Sequence, residues 1–493
     1  MSQLLKLGIA LLVGATLAVA ATPSKKPAPS SKSKKKKFRS SSGKPAPAKP
    51  GVKKSRVRRT AKKVMRAPLA GARAVRRRVI PKGPKVSAAD RAEAHEGVFM
   101  KIDNGANLPV ENAAALVPFF ELLYRHQKGE MPGPVRILHY GDSHTAADEW
   151  TGDLRSRFQE RFGDGGSGYS FAGRPWNGYR REDVRTGSTR GWHTDGLVGR
   201  AGDGIYGLGG VSMSTRSPHE AVYLLADGQQ FELFYLQQPG GGALQIYDNG
   251  SPVERISTDG PGQPGYYRYE TTPGSHRLEA ETLDRSPVRL FGWTAENATG
   301  VTYETLGING AQASIVLDWN EPVLKSNIER RNPSLVILAY GTNEAGRKDL
   351  TVDAYEQMFK GLIARIREAA PAATILVIGP PDRYLHTRRG WEQMDKIDLI
   401  IEAQREASVA TGCAFWDLRA KMGGKGSMQQ WVTAGMAQYD HVHFTMPGYK
   451  MLGDAVFRDL MGQYEVFLKA RAAVVAQANG AETPGVINKA VIK

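Results

Sequence analysis

Short apolar runs that each stop at turn-forming residues, with amphipathic helices between them, constrain this chain more than any other feature. Val135–Tyr140 stops at Gly141-Asp142-Ser143, and Leu335–Tyr340, Thr374–Ile378 and Cys413–Trp416 are bounded in the same way. Runs of this length and apolarity read as strands buried on both faces. A helical stretch after about residue 110 puts Leu116, Phe119, Phe120 and Leu123 on one face, and another is expected over Asp148–Phe162. The clearest helix covers 352–370, where Tyr355, Met358, Phe359, Leu362, Ile363 and Ile366 follow i, i+3, i+4, i+7 spacing. Strands alternating with helices imply right-handed βαβ units and a parallel sheet covered on both faces. The active site of such a sheet lies at the carboxyl ends of its strands.

Residues 185–300 break this rhythm. Ala221–Ala226, Phe231–Gln237 and Ala243–Tyr247 are separated by Gly-rich or Asp-Asn-Gly turns, which predicts an all-β insert within an α/β domain of 105–184 and 301–470. Asp248-Asn249-Gly250 suits a hairpin, because Asn and Gly accept positive φ. Tyr266, Tyr267, Tyr269 and Trp293 are candidates for stacking on sugar rings, with ordinary packing the competing reading for each. Residues 471–493 read as a frayed tail.

The formal charge of +18 resides at one end. Residues 1–86 carry 25 of the 67 Lys and Arg and none of the 49 Asp and Glu, so the remainder is net acidic. Met1–Ala20 has the n-region, apolar h-region and Ala-Val-Ala cleavage site of a secretory signal peptide, which predicts export to the periplasm or cell envelope, with secretion as the alternative. Residues 21–86, rich in Lys, Arg, Pro, Ser and Ala, lack the periodicity a core requires and read as disordered. They serve as a solvated spacer or as an electrostatic contact with anionic envelope polymers or membrane surfaces. Specific nucleic-acid binding is not expected of an exported chain. The single cysteine, Cys413, excludes an intramolecular disulfide.

The candidate chemistry sits at the strand ends. Gly141-Asp142-Ser143-His144 places a serine hydroxyl at the sheet's carboxyl edge, without the Gly-x-Ser-x-Gly elbow of the α/β-hydrolases. A serine needs a base to accept its proton and an acid to orient that base. Asp440-His441-Val442-His443 supplies both, with Asp440 and His443 three residues apart and His441 the competing base. A zinc site on the two histidines lacks a third ligand nearby, so neither metal nor organic cofactor is expected. Gly341-Thr342-Asn343 ends another strand, and Gly307-Ile308-Asn309-Gly310 follows the insert. The Ser143 N–H, the Gly310 N–H and the Asn343 amide form a candidate oxyanion hole, with Gly307 as the alternative to Gly310.

Gly-Asp-Ser, then a glycine block, then Gly-x-Asn, then Asp-x-x-His resembles the SGNH, or GDSL, hydrolases over roughly 130–465, less the insert. That resemblance implies a flavodoxin-like three-layer α/β/α fold. It also implies Ser143 as nucleophile, His443 as base, Asp440 as orienting acid, and Gly310 and Asn343 as oxyanion donors. Gly-Asp-Ser-His-Thr with Asp148 downstream, Phe162-Gly-Asp-Gly-Gly, and a β insert before the glycine block are similar to bacterial cell-wall O-acetylesterases, in which the insert resembles a carbohydrate-binding module. Asp142, His144 and Asp148 are candidate supports of the site. The expected activity is hydrolysis of O-acetyl esters on an envelope polysaccharide, O-acetylated peptidoglycan foremost. The alternatives are a polysaccharide O-acetyltransferase, another SGNH lipase or thioesterase, and a noncatalytic glycan-binding envelope protein.

Overall fold

The computed structural model describes residues 83–104, 110–199 and 202–478; the expected signal peptide, nearly all of the basic segment and residues 479–493 lie outside this range. Five parallel strands form the central sheet: Val135–Gly141, Val301–Gly307, Leu335–Ala339, Thr374–Ile378 and Ala414–Trp416. Numbered along the chain, their spatial order is 2-1-3-4-5, the flavodoxin-like arrangement.

Side chains alternate between two cores across this sheet, as a period of two requires. Leu138, Tyr140, Leu306, Val336, Leu338 and Val377 pack with helices Glu321–Arg331, Val352–Ala369 and Lys396–Ala410. On the other face Ile137, Tyr303, Ile337, Leu376 and Trp416 pack with Ala88–Asn104, Val117–Gln127, Glu149–Phe162 and Met446–Ala478. The expected three-layer α/β/α fold is therefore present. Among the described residues no helix is long and apolar enough to cross a membrane.

The insert is a nine-stranded antiparallel sheet with a core of its own, built on Val222, Leu224, Leu233, Leu244, Ile246, Leu278, Leu290 and Trp293. Its other face shares the α/β core through Tyr169, Phe171, Phe234, Leu236 and Phe291. Between the two sheets Arg331, 2% exposed, pairs with Glu296 at 2.7 Å and with Glu304, while Arg136 pairs with Glu296 at 2.8 Å. Charges this buried must be paired to be tolerated.

Several boundaries differ from the sequence expectation. The antiparallel sheet recruits Gly168–Phe171, which lies before residue 185 and pairs with Val288–Glu296. Ala221–Ala226 and Phe231–Gln237 are one strand, Ala221–Gln237, bulged between Gly228 and Gln230; a bulge absorbs the irregularity that a local reading takes for a turn. Trp293 is 1% exposed in the insert core, Tyr267 and Tyr269 pack against that core, and Tyr266 packs against the α/β core and hydrogen-bonds Ser326, so all four aromatic candidates are packing residues. The final helix runs on to Ala478, with Arg471 reaching Glu121 at 2.8 Å, so residues 471–478 are not frayed. Ala88–Asn104 is a helix that buries Val98 and Ile102; its sparse apolar residues among charged ones masked it. The Asp248–Ser251 hairpin forms with Asn249 at φ 50° and Gly250 at φ 79°, the positive values expected there.

Candidate active site

The first parallel strand delivers Ser143 to the sheet's carboxyl edge. Its last residue, Gly141, faces so close an approach that a Cβ there would lie 2.1 Å from Thr145 Oγ1 and 2.8 Å from the Ala339 carbonyl. The chain then enters the short helix Ser143–Ala146, where the Asp142 carboxylate caps the His144 N–H at 2.9 Å. Ser143 itself stays half-buried and open to solvent.

Three hundred residues later the loop before the final helix meets it. Ser143 Oγ and His443 Nε2 are 2.9 Å apart, and His443 Nδ1 and Asp440 Oδ2 are 2.7 Å apart. Asp440 Oδ1 accepts the backbone N–H groups of Val442 and His443, each at 3.0 Å. Burial works to raise the Asp440 carboxyl, but the His443 ring and those backbone donors outweigh it and hold it at about 2. An ionised Asp440 keeps the Nδ1–H tautomer of His443, which leaves Nε2 as the acceptor facing Ser143.

The competing base is placed elsewhere. His441 is 1% exposed at φ 55°, its Nε2 is 3.0 Å from Gln429 Oε1, its Nδ1 is 3.0 Å from the Tyr439 carbonyl, and its ring lies against Trp391, tilted by 32° with centroids 4.1 Å apart. Among the described residues no group of three His, Cys, Asp or Glu could hold a metal ion.

The oxyanion candidates converge on the same edge. Asn343 Nδ2 donates to the Ala311 carbonyl at 2.9 Å and is 3.5 Å from Asp142 Oδ2, which leaves its second hydrogen loosely held. Gly310 is exposed at φ 78°, and nothing among the described residues accepts its N–H or that of Ser143. Gly307 has a different reason to be glycine. It pairs with Gly141 in the sheet, and a Cβ there would lie 2.2 Å from the Ala146 nitrogen. Of the two glycines, Gly310 is the one with a free donor. Beside it opens a cavity of about 550 Å³ lined by Leu197, Val198, Tyr206, Gln312, Ile315 and Trp319.

Of the candidate supports, His144 is buried with Nδ1 2.9 Å from the Tyr449 hydroxyl, and burial lowers its pKa well below the usual value. Its ring centroid lies 5.4 Å from that of His443. Asp148, fully buried at φ 57°, accepts from Arg155 at 2.6 Å, Thr305 at 2.5 Å and the Glu182 N–H at 2.8 Å. Its bonds tie the Glu149–Phe162 helix to the second parallel strand and the 182 loop. Asp142 is pushed up to about 6 by burial, against the hydrogen bonds it accepts.

Two further residues escaped the sequence reading. Glu344 is buried, accepts the N–H groups of Ala313 (2.8 Å) and Gly341 (3.1 Å), and is pushed up to about 7, chiefly by burial. It locks the Gly310 loop to the Asn343 loop. Arg383 follows the fourth strand and donates to the Thr342 carbonyl, with Asp142 and Asp440 as charged neighbours. Both stand just beyond the ends of parallel strands, so the positional rule that singled out Ser143 and Asn343 also points to them.

The GDSL-like lipase/acylhydrolase family model matches residues 258–451, a span that includes Gly310, Asn343, Asp440 and His443. A solved peptidoglycan O-acetylesterase is 28% identical over 71% of this chain and 96% of its own, with a TM-score of 0.62. Two other structures superpose poorly. A family two carbohydrate esterase from Clostridium thermocellum with cellohexaose is 12% identical over 51% of this chain and 94% of its own, at TM-score 0.27. An acetylxylan esterase from Geobacillus stearothermophilus is 20% identical over 33% and 72%, at TM-score 0.24. No curated protein matches the sequence. The parallel sheet, the residues at its carboxyl edge, the family match over 258–451 and the 28%-identical O-acetylesterase together support an esterase similar to the SGNH, or GDSL-like lipase/acylhydrolase, family.

Proposed function

We propose that this protein is an exported O-acetylesterase that removes acetyl groups from an envelope polysaccharide, foremost O-acetylated peptidoglycan, through an acyl-enzyme on Ser143. The observation that carries the reading is the continuous chain Ser143 Oγ, His443 Nε2, His443 Nδ1, Asp440 Oδ2, with links of 2.9 and 2.7 Å. His443 takes the Ser143 proton as Oγ attacks the acetyl carbonyl carbon. The carbonyl electrons move to oxygen, where the N–H groups of Ser143 and Gly310 and the Asn343 amide receive them. Donors preorganised in this way contribute about 3–4 kcal/mol each to the transition state.

Collapse expels the sugar oxygen, which takes the proton from His443. Water then enters, gives its proton to His443 and attacks the acetyl-serine; acetate leaves and Ser143 recovers its proton. The likeness to a peptidoglycan O-acetylesterase supports the choice of polymer. The cavity beside Gly310 adds room for a saccharide next to the reacting carbonyl.

The test is acetate release from acetylated and chemically deacetylated peptidoglycan, by the protein and by Ser143→Ala. Release from acetylated wall alone, lost by at least about 10⁴-fold in the variant, is expected. Release that survives the substitution overturns the nucleophile. Cleavage of small acetyl esters without release from the wall overturns the polymer, and acetylated-glycan formation in place of acetate would make the acceptor a sugar rather than water.

A further inference from the structure

Beside the Asp440–His443 loop stands a small hairpin that meets a core through Tyr384 at its base. Strands Tyr384–Thr387 and Gly390–Gln393 pair only with each other. They follow the fourth parallel strand, so the hairpin leaves the same carboxyl edge that carries Ser143. A lone two-stranded hairpin is marginal in water, and this one is held from its base. The Tyr384 N–H donates to the His441 carbonyl at 3.2 Å, and the Trp391 ring lies tilted against His441 and meets Tyr439 edge-on at 5.6 Å. His441 thus trades a place in the triad for a place under the hairpin. The mount explains why a ring next to Asp440 is turned away from Ser143.

The tip carries two adjacent cations. Thr387 Oγ1 accepts the Arg389 N–H at 3.0 Å and Gly390 takes φ 110°, which defines the turn and presents Arg388 and Arg389 to solvent. Neither guanidinium has a carboxylate within ion-pair distance among the described residues. The one acid on the hairpin strands, exposed Glu392, pairs across from Leu385 rather than at the tip. At the other end of the hairpin Arg383 adds a third cation, next to Asp142 and Asp440, and its Nε is buried with no hydrogen-bond partner. Arginines therefore mark both ends of an arm about 15 Å long that begins at the reaction centre. Guanidinium groups bind carboxylates through paired hydrogen bonds, and adjacent ones gain most when an anion relieves their repulsion.

We propose that this hairpin is a substrate-reading arm, on which Arg388 and Arg389 bind carboxylates that the polymer carries near the ester, as the peptide stems of peptidoglycan do. The assignment rests on the polymer reading above and goes beyond it: the ester is selected by an anionic group at a distance from the acetyl. The arm contributes to binding of the polymer and leaves the chemical step alone, so its loss changes KM and not kcat.

The experiment compares the protein with Arg388→Gln/Arg389→Gln on three substrates: acetylated muropeptides, the same muropeptides with their carboxylates amidated, and a neutral aryl acetate. The substituted side chains are exposed, and an unchanged melting curve verifies the fold. We expect KM for the muropeptides to rise about tenfold in the variant with kcat unchanged, as losing two charge-assisted contacts would give. Amidation should cost the unsubstituted protein a similar factor and the variant little, and aryl acetate kinetics should not move. Equal KM values for the two proteins on muropeptides overturn the arm while leaving the esterase reading intact. Failure of the unsubstituted protein on every muropeptide, with aryl acetate still cleaved, overturns the polymer and the arm together.

Discussion

Asp440 binds His443 twice: one carboxylate oxygen faces the ring Nδ1 at 2.7 Å, and the other accepts the residue's own backbone N–H at 3.0 Å. The acid therefore fixes both the tautomer and the position of the base. Asp440→Asn keeps the shape but offers an amide N–H where an acceptor is needed, or reverses the ring tautomer. We expect kcat on an acetyl ester to fall about 10⁴-fold with the melting temperature little changed. A loss below tenfold would remove Asp440 from the mechanism.

Asn343 holds one amide hydrogen on the Ala311 carbonyl and leaves the other loosely held near Asp142. Asn343→Ala should lower kcat by about 10²- to 10³-fold while KM stays near its original value, because the lost donor matters only when the oxyanion forms. Steady-state kinetics on an aryl acetate read this directly. A rise in KM alone would place Asn343 in ground-state binding.

Two buried acids behind the site make stability depend on pH. Asp142 rises from 3.8 to about 6 and Glu344 from 4.5 to about 7, so the folded protein binds more protons than the unfolded chain between these limits. The stability these two acids contribute therefore falls as pH rises from about 4 to 7. Asp440, lowered from 3.8 to about 2, acts oppositely, and its contribution is lost as pH falls through that range. Buried His139 and His144, lowered by burial, act oppositely over the same window, so the readout is a comparison of two proteins: on going from pH 7.5 to 4.5 the melting temperature of Asp142→Asn should lose ground relative to that of the unsubstituted protein. An equal change in the two proteins would mean that Asp142 does not titrate in this window.

Arg331 joins the insert to the α/β domain through Glu296 and Glu304. Arg331→Met leaves Glu304, which is 0% exposed, without its guanidinium and should destabilise the protein by about 3–5 kcal/mol. Urea denaturation measures it, and Arg331→Met/Glu304→Gln should recover part of the loss. A loss under 1 kcal/mol in the single variant would mean that water reaches this interface.

The strands were legible because their determinants are local. Buried parallel strands are short and apolar, their helices repeat every 3.6 residues, and turn residues mark the carboxyl ends where Ser143 and Asn343 lie. The Ala88–Asn104 helix was not legible for the converse reason: its apolar residues are few, and Val98 and Ile102 find a core only against chain segments far away. The single strand Ala221–Gln237 was read as two because a bulge and a turn share the same glycine chemistry.

The sequence by itself determined the parallel sheet, the all-β insert and the residue types at each strand end, since periodicity and spacing act over a few residues. Tertiary structure decided which of them meet. His441 and His443 stand equally near Asp440 along the chain, but only His443 Nε2 reaches Ser143 Oγ, because Trp391 and Gln429 hold the other ring. Gly307 and Gly310 are alike in sequence, yet the first is packed under Ala146 and the second keeps a free N–H. Glu344 and Arg383 acquire their neighbours only when separate loops close on one edge, because hydrogen bonds and charges act through space and carry no record in local pattern.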